Sequence, residues 1–213
     1  MSSDDWFRRT TWTDADRLDF RARLQCARKS NRPQYLRIQA HHLADAGNPV
    51  AALELLDQFA DIDDGGVDLA SAQLQRGESL FATGDTAGAI SAFRDTLTAE
   101  RNRPNVQTAA WLLFPWFIVE LQLTGLYPEA ASVLSEFAPI RRLSFPIDKY
   151  RYNAINALLA AHAGHTLTAT EYAANALIAS SATHSGFRYH PEIGLVQNVA
   201  TSIRERVTAI AAT

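Results

Sequence analysis

The stretch Gly84-Asp-Thr-Ala-Gly-Ala89-Ile-Ser-Ala-Phe93 decides how this chain is read, because three other segments share its spacing. They are Gly47-Asn-Pro-Val-Ala-Ala52-Leu-Glu-Leu-Leu56, Gly125-Leu-Tyr-Pro-Glu-Ala130-Ala-Ser-Val-Leu134 and Gly164-His-Thr-Leu-Thr-Ala169-Thr-Glu-Tyr-Ala173. The glycines lie 37, 41 and 39 residues apart; each is followed five residues on by Ala, and nine residues on by Leu56, Phe93, Leu134 and Ala173 in turn. A fixed period of this size is the mark of a repeat architecture. A Gly in the left-handed conformation stops one helix, and a second helix starting two or three residues later closes a tight hairpin. The small Ala then lies where the two helices cross, and the residue one turn further fills the space between neighbouring hairpins.

Working outward, Tyr35, Leu36, Ile38, Ala40 and Leu43 precede the first glycine, and Leu69, Ala72, Leu74, Gly77, Leu80 and Phe81 precede the second. Spacings of three and four mark amphipathic helices, and strand alternation is absent throughout. The pattern predicts ten helices near 14–30, 33–46, 49–60, 67–83, 86–100, 105–124, 127–138, 147–163, 166–181 and 190–211. The Gly, Pro and Ser between them fall at 61–66, 102–105, 139–146 and 180–191.

This arrangement resembles the tetratricopeptide repeat family. Gly77, Leu80, Gly84, Asp85, Ala89 and Phe93 stand at that family's spacing, and Ala40, Leu43, Gly47, Ala52, Leu56 and Phe59 repeat it. The third and fourth units depart from it: Ile118 replaces a small residue, Pro115 interrupts a helix, and the connections exceed a 34-residue period. The resemblance implies an all-α, right-handed α-solenoid of about four TPR-like helical hairpins in a single domain spanning 1–213. Residues 1–32 would form an N-terminal capping segment, 33–181 the hairpins and 182–213 a C-terminal capping helix. The first cap would start at Thr13 and turn Leu18, Ala22 and Leu24 inward; the last would carry the stripe Ile193, Val196, Ala200, Ile203, Val207 and Ile210. The opening Trp6-Phe7-Arg8-Arg9-Thr10-Thr11-Trp12 is also similar to bacterial repeat proteins of uncharacterised role.

The family's first helices line a concave groove. By that resemblance the groove presents Gln34, Arg37 and His41, then Gln75, Glu78 and Phe81, then Trp116, Val119 and Gln122, and finally Arg151, Ile155 and Leu158. This mixture suits an extended or helical peptide, unless the apolar members are covered by neighbouring helices or the C-terminal cap. The family's basic clamp for a peptide carboxylate is incomplete, since Arg37 is present but His41 stands where Asn is expected.

Composition sets the outer bounds. The 213 residues are 47% hydrophobic and 20% charged, with net charge −3, which is ordinary globular material. The total conceals a polarity: residues 1–40 carry nine basic side chains against five acids, whereas 45–100 carry eleven acids against Arg76 and Arg94. Those balances of +4 and −9 describe either two mutually attracting solvated faces or a docking surface for a charged partner. Arg17, Arg21 and Arg28 are interrupted by Asp14, Asp16 and Asp19, so nucleic acid is not the expected partner. The apolar run 109–119 is too short to cross a bilayer. The acidic start lacks a secretory signal, and Cys26 is the single cysteine, which together predict an unprocessed chain in the cytoplasm.

Chemistry-bearing motifs are missing. The sequence has no Gly-x-Ser-x-Gly elbow, phosphate loop, dinucleotide fingerprint or His-Glu-x-x-His. His162 and His165 are separated by the predicted helix stop at Gly164, while His41 and His42 are adjacent on a helix, so no metal or other cofactor is expected. Cys26, among Arg23, Arg28 and Lys29, reads as structural rather than catalytic. The expected role is non-catalytic protein or peptide binding; an immunity protein or inhibitor that turns its acidic region on a toxin or enzyme is the alternative.

Overall fold

A computed structural model gives the fold and describes residues 5–63, 65–197 and 199–213. Among these are ten α-helices and no strands: α1 (Asp14–Cys26), α2 (Arg32–Asp45), α3 (Pro49–Ile62), α4 (Leu69–Ala82), α5 (Thr86–Asn102), α6 (Ala110–Glu120), α7 (Tyr127–Phe137), α8 (Pro146–His162), α9 (Thr166–Ser180) and α10 (Thr201–Ala211). Helices adjacent in sequence pack as pairs, α2 on α3, α4 on α5 and α8 on α9. The chain divides into two compact units, Met1–Ala110 and Trp111–Thr213.

One hydrogen-bond pattern ends the first helix of each of these pairs. Gly47, Gly84 and Gly164 have φ of +81°, +86° and +79°. The amide after each donates to the carbonyl five residues back: Asn48 to Leu43 (2.8 Å), Asp85 to Leu80 (2.9 Å) and His165 to Ala160 (2.9 Å). This six-to-one bond satisfies a carbonyl that the helix end leaves open. The chain then re-enters a helix at once, with Asn48 and Asp85 accepting from the amides of Ala51 (3.2 Å) and Gly88 (2.8 Å) as N-caps.

The helix before the third repeat glycine, α6, stops elsewhere than that glycine predicts. Gln122, at φ +54°, is the left-handed residue, and Leu123 donates to Ile118 at 2.9 Å. Gly125 instead lies in the 3₁₀ turn Thr124–Leu126. Aligned on the true stops, the residues seven before them are Ala40, Gly77, Pro115 and Ala157, all buried. The small position of the third unit is therefore Pro115 and not Ile118. A Cβ on Gly77 would meet the Phe93 ring at 3.4 Å, which measures how closely α4 and α5 approach. Ala52, Ala89, Ala130 and Ala169 are at most 1% exposed, as crossing points should be.

Several boundaries differ from the sequence expectation. α6 starts at Ala110 rather than near 105, because buried Glu100 accepts from the Thr108 amide (3.0 Å) and hydroxyl, and Thr108 Oγ1 in turn accepts from the Ala110 amide (3.1 Å). α10 starts at Thr201 rather than near 190. The preceding segment is held otherwise: the Ser185 amide donates to the Pro191 carbonyl (2.7 Å), and the left-handed Gly194 accepts from the Ile147 amide (2.8 Å). Ile193 is consequently half exposed, while Ile203 and Val207 are fully buried against the α8–α9 pair.

The N-terminal helix is also turned differently. Leu18 is 68% exposed and Ala22 is exposed; Phe20 and Leu24 face the core. Aromatic packing sets this phase, since Phe20 meets Trp6 (5.3 Å) and Trp12 (5.4 Å), and Tyr35 meets Trp6 (5.1 Å) and Phe7 (4.7 Å). Gln39, fully buried, fastens the segment by donating to the Arg9 carbonyl (2.7 Å) and accepting from its amide (3.0 Å). Thr13 and Asp16 form a reciprocal capping box at the start of α1.

Two predictions follow from these helix ends. Gly84→Ala should lower stability by roughly 1 kcal/mol and Gln122→Gly should raise it by a few tenths to about 1 kcal/mol, read from urea unfolding, because only glycine adopts positive φ without a Cβ penalty. Asp16 is held down from 3.8 to about 2 by the Thr13 amide first, then the Thr13 hydroxyl, with the Arg9 and Thr11 side chains adding smaller effects and burial opposing them. A depressed carboxyl stabilises above its unfolded pKa and loses that contribution as pH falls toward 2. The stability gap between wild type and Asp16→Asn, about 1 kcal/mol at pH 7, should therefore shrink between pH 4 and pH 2.

Candidate functional site

In the first unit the anticipated groove residues come from α2 and α4, which lie side by side. Arg37 Nε donates to Asp68 Oδ1 at 2.6 Å, just before α4, and both side chains are about four-fifths buried. With its amide oriented by the surrounding donors and acceptors, Gln75 donates to the Arg37 carbonyl (3.1 Å) and accepts from Arg37 Nη1 (3.3 Å). Arg37 and Gln75 thus join successive hairpins. The face around them carries Gln34, His41 and Glu78, all exposed, and Phe81 at 38% exposure. His41 Nε2 stands 3.3 Å from Asp45 Oδ2 one turn along α2. The neighbouring His42 imidazole is held below its ordinary pKa by burial, then by His41 and Arg8, with Asp45 opposing.

The second unit treats its residues differently. Trp116 is 9% exposed, its ring 6.1 Å from Tyr150 and 5.8 Å from the Arg151 guanidinium carbon. Val119 and Ile155 are fully buried and Leu158 nearly so. These are core residues. α10 helps hold them down, for Arg206 Nη1 donates to the Val119 carbonyl (2.9 Å) and Arg204 lies close enough to Tyr150 to oppose the upward push of burial on its phenol. Gln122 is exposed, but its positive φ gives it the role of helix stop.

Sequence reasoning missed a cleft of about 580 Å³ between α3 and α4, rimmed by Asp57, Asp61, Asp63, Gln73 and Arg76 over a floor that includes Leu56 and Leu69. Arg76 Nη1 pairs with Asp57 Oδ1 at 2.6 Å. The available signal was three aspartates crowding the end of α3, whose last turn has no basic residue. A cleft of about 480 Å³ occurs at the equivalent place in the second unit, where Leu56, Asp57, Ala60 and Asp61 are replaced by Leu134, Ser135, Ala138 and Pro139. Among the described residues, no group of three or more His, Cys, Asp or Glu is placed to hold a metal ion, and no helix is long and apolar enough to cross a membrane. His162 packs edge-on against Tyr127 at 4.8 Å, His165 precedes α9, and Cys26 is an exposed free thiol.

Comparison with known proteins gives no match to a family model, a curated protein or a solved structure.

The two halves of the anticipated groove should respond oppositely to truncation. Trp116→Ala should cost about 3–5 kcal/mol in chemical unfolding, as a buried aromatic does, whereas Phe81→Ala should cost about 1 kcal/mol or less.

Proposed function

We propose that the chain is a non-catalytic interaction module, a right-handed TPR-like solenoid of about four hairpins with helical caps, that binds a protein or peptide partner. The observation that carries this reading is Phe81, a large aromatic side chain 38% exposed near the end of α4, on the α2–α4 face that also carries Gln34, His41 and Glu78. An aromatic anchor ringed by polar groups is the usual centre of a binding surface. The recurring helix stop supports the repeat assignment, because the same six-to-one bond closes α2, α4, α6 and α8. The exposed thiol of Cys26 fits a reducing, cytoplasmic setting.

The acidic balance of residues 45–100 favours a second reading, an immunity protein or inhibitor that neutralises a basic toxin or enzyme surface. Affinity purification with wild type and with Phe81→Ser/His41→Ala tests the first reading. Wild type should retain a partner that the variant loses while still unfolding cooperatively within a few degrees of wild type; identical recoveries would contradict binding through this face. One partner held through high-salt washing would mark the inhibitor, and several that wash off would mark the scaffold.

A further inference from the structure

We infer that the α3–α4 cleft docks a basic peptide segment of a partner protein, with arginine or lysine side chains entering between Asp57, Asp61 and Asp63 and an apolar neighbour resting on Ile62 and Val67. This rests on the interaction reading above and names a partner chemistry for a surface distinct from the α2–α4 face.

The C-terminal end of a helix carries partial negative charge and favours cations. α3 ends with Asp61 in its last turn and Asp63 as its C-cap, and no basic residue offsets them there. The carboxylates therefore work against the helix that bears them. The fold does not require Asp57 or Asp61, for Ser135 and Pro139 stand in their places in the equivalent cleft of the second unit, whereas Asp63 Oδ2 accepts from the Gly65 amide (3.0 Å) and so shapes the rim as well as charging it. Arg76 shows that a guanidinium lies comfortably against Asp57, at 2.6 Å with a third of its side chain exposed. Asp61 is exposed on the same rim.

Apolar surface adjoins the charge. Ile62 is 48% and Val67 63% exposed, at either end of the segment joining α3 to α4. Beyond that segment a smaller hollow of about 180 Å³ shares Gly65 and Leu69 with the cleft; Val67, Ala70, Ala99 and Val106 line it, with Asn102 and Arg103 at its far side from α5 and the segment after it, so the apolar contact is confined to the Val67 end. Charged rim and apolar shoulder together match a segment that alternates basic and apolar residues, with charge governing encounter and the apolar contact governing residence. The surrounding balance of −9 over residues 45–100 extends the complementarity beyond the cleft.

The test uses the full chain and a fluorescein-labelled nonapeptide of alternating arginine and leucine, titrated by anisotropy. Asp61→Asn/Asp63→Asn keeps size and hydrogen-bonding capacity; Asp95→Asn/Glu205→Gln is the charge-matched control. The first pair should weaken binding at least tenfold while melting no lower than wild type, and the control should stay within twofold. Equal weakening by both pairs, or undiminished binding by the first, would overturn the proposal. So would a rise in melting temperature with 1 mM calcium chloride that Asp61→Asn/Asp63→Asn abolishes, which would assign the aspartates to a metal. Self-association in sedimentation that is lost in the same variant would overturn it in favour of a second copy of the chain. If the peptide fails while Phe81-dependent partner capture persists, this proposal falls alone; if the peptide binds as described while Phe81 proves irrelevant, the α2–α4 reading falls alone.

Discussion

The hydrogen bond from the residue after a left-handed turn to the carbonyl five back, made at Leu43, Leu80, Ile118 and Ala160, is the constraint on which the remaining structure hangs. It consumes an acceptor that would otherwise be stranded at a helix end and reverses the chain within a few residues. Close reversal brings two helices together near the turn, where bulky side chains would collide. Small residues therefore follow from the turn: Ala40 and Ala52 in one hairpin, Gly77 and Ala89 in the next, with the Phe93 ring lying 3.4 Å from where a Gly77 Cβ would stand. Close packing makes such positions sensitive to a single added methylene.

Charge follows a related logic in the first unit. Much of the basic excess at the N-terminus is used internally, Arg9 on Asp16 and Asp19, Arg17 on Glu54, Arg23 on Asp19 and Arg37 on Asp68. Arg17–Glu54 ties the cap to the first hairpin and the largely buried Arg37–Asp68 pair ties α2 to the start of α4, while the more exposed pairs add little stability. What they leave is a concentration of carboxylates at the end of α3. Such a concentration of like charge attracts cationic groups from solution, which is how the cleft bears on the proposed interaction role.

The helices and their pairing were legible because helix periodicity and glycine stops are local signals. The third stop was not: Gln122 carries no sequence mark of a left-handed residue, and Gly125 three positions on drew the alignment to itself. The phase of α1 was hidden for a different reason, since Leu18 and Phe20 are both plausible core residues until Trp6 and Trp12 are known to pack on the same side. Of the anticipated groove, Gln34, His41, Glu78 and Phe81 do lie on an accessible face, whereas Trp116, Val119, Ile155 and Leu158 lie in the core, Val119 with its carbonyl bound by Arg206 of α10. Spacing within a helix says which residues share a face and not what covers it. The cleft escaped notice because its parts, Asp57 and Asp61 from one helix and Gln73 and Arg76 from the next, meet only through tertiary packing.

Four equivalent helix stops, three on glycine and one on glutamine, organise the helices that carry them. Amide hydrogen exchange resolved to single residues addresses this directly through the donors Asn48, Asp85, Leu123 and His165. All four should exchange far more slowly than an unstructured peptide, Leu123 among them despite its non-glycine turn. Exchange of Leu123 at the free-peptide rate, with the other three protected, would contradict the equivalence of the third stop; free exchange at all four would contradict the account as a whole.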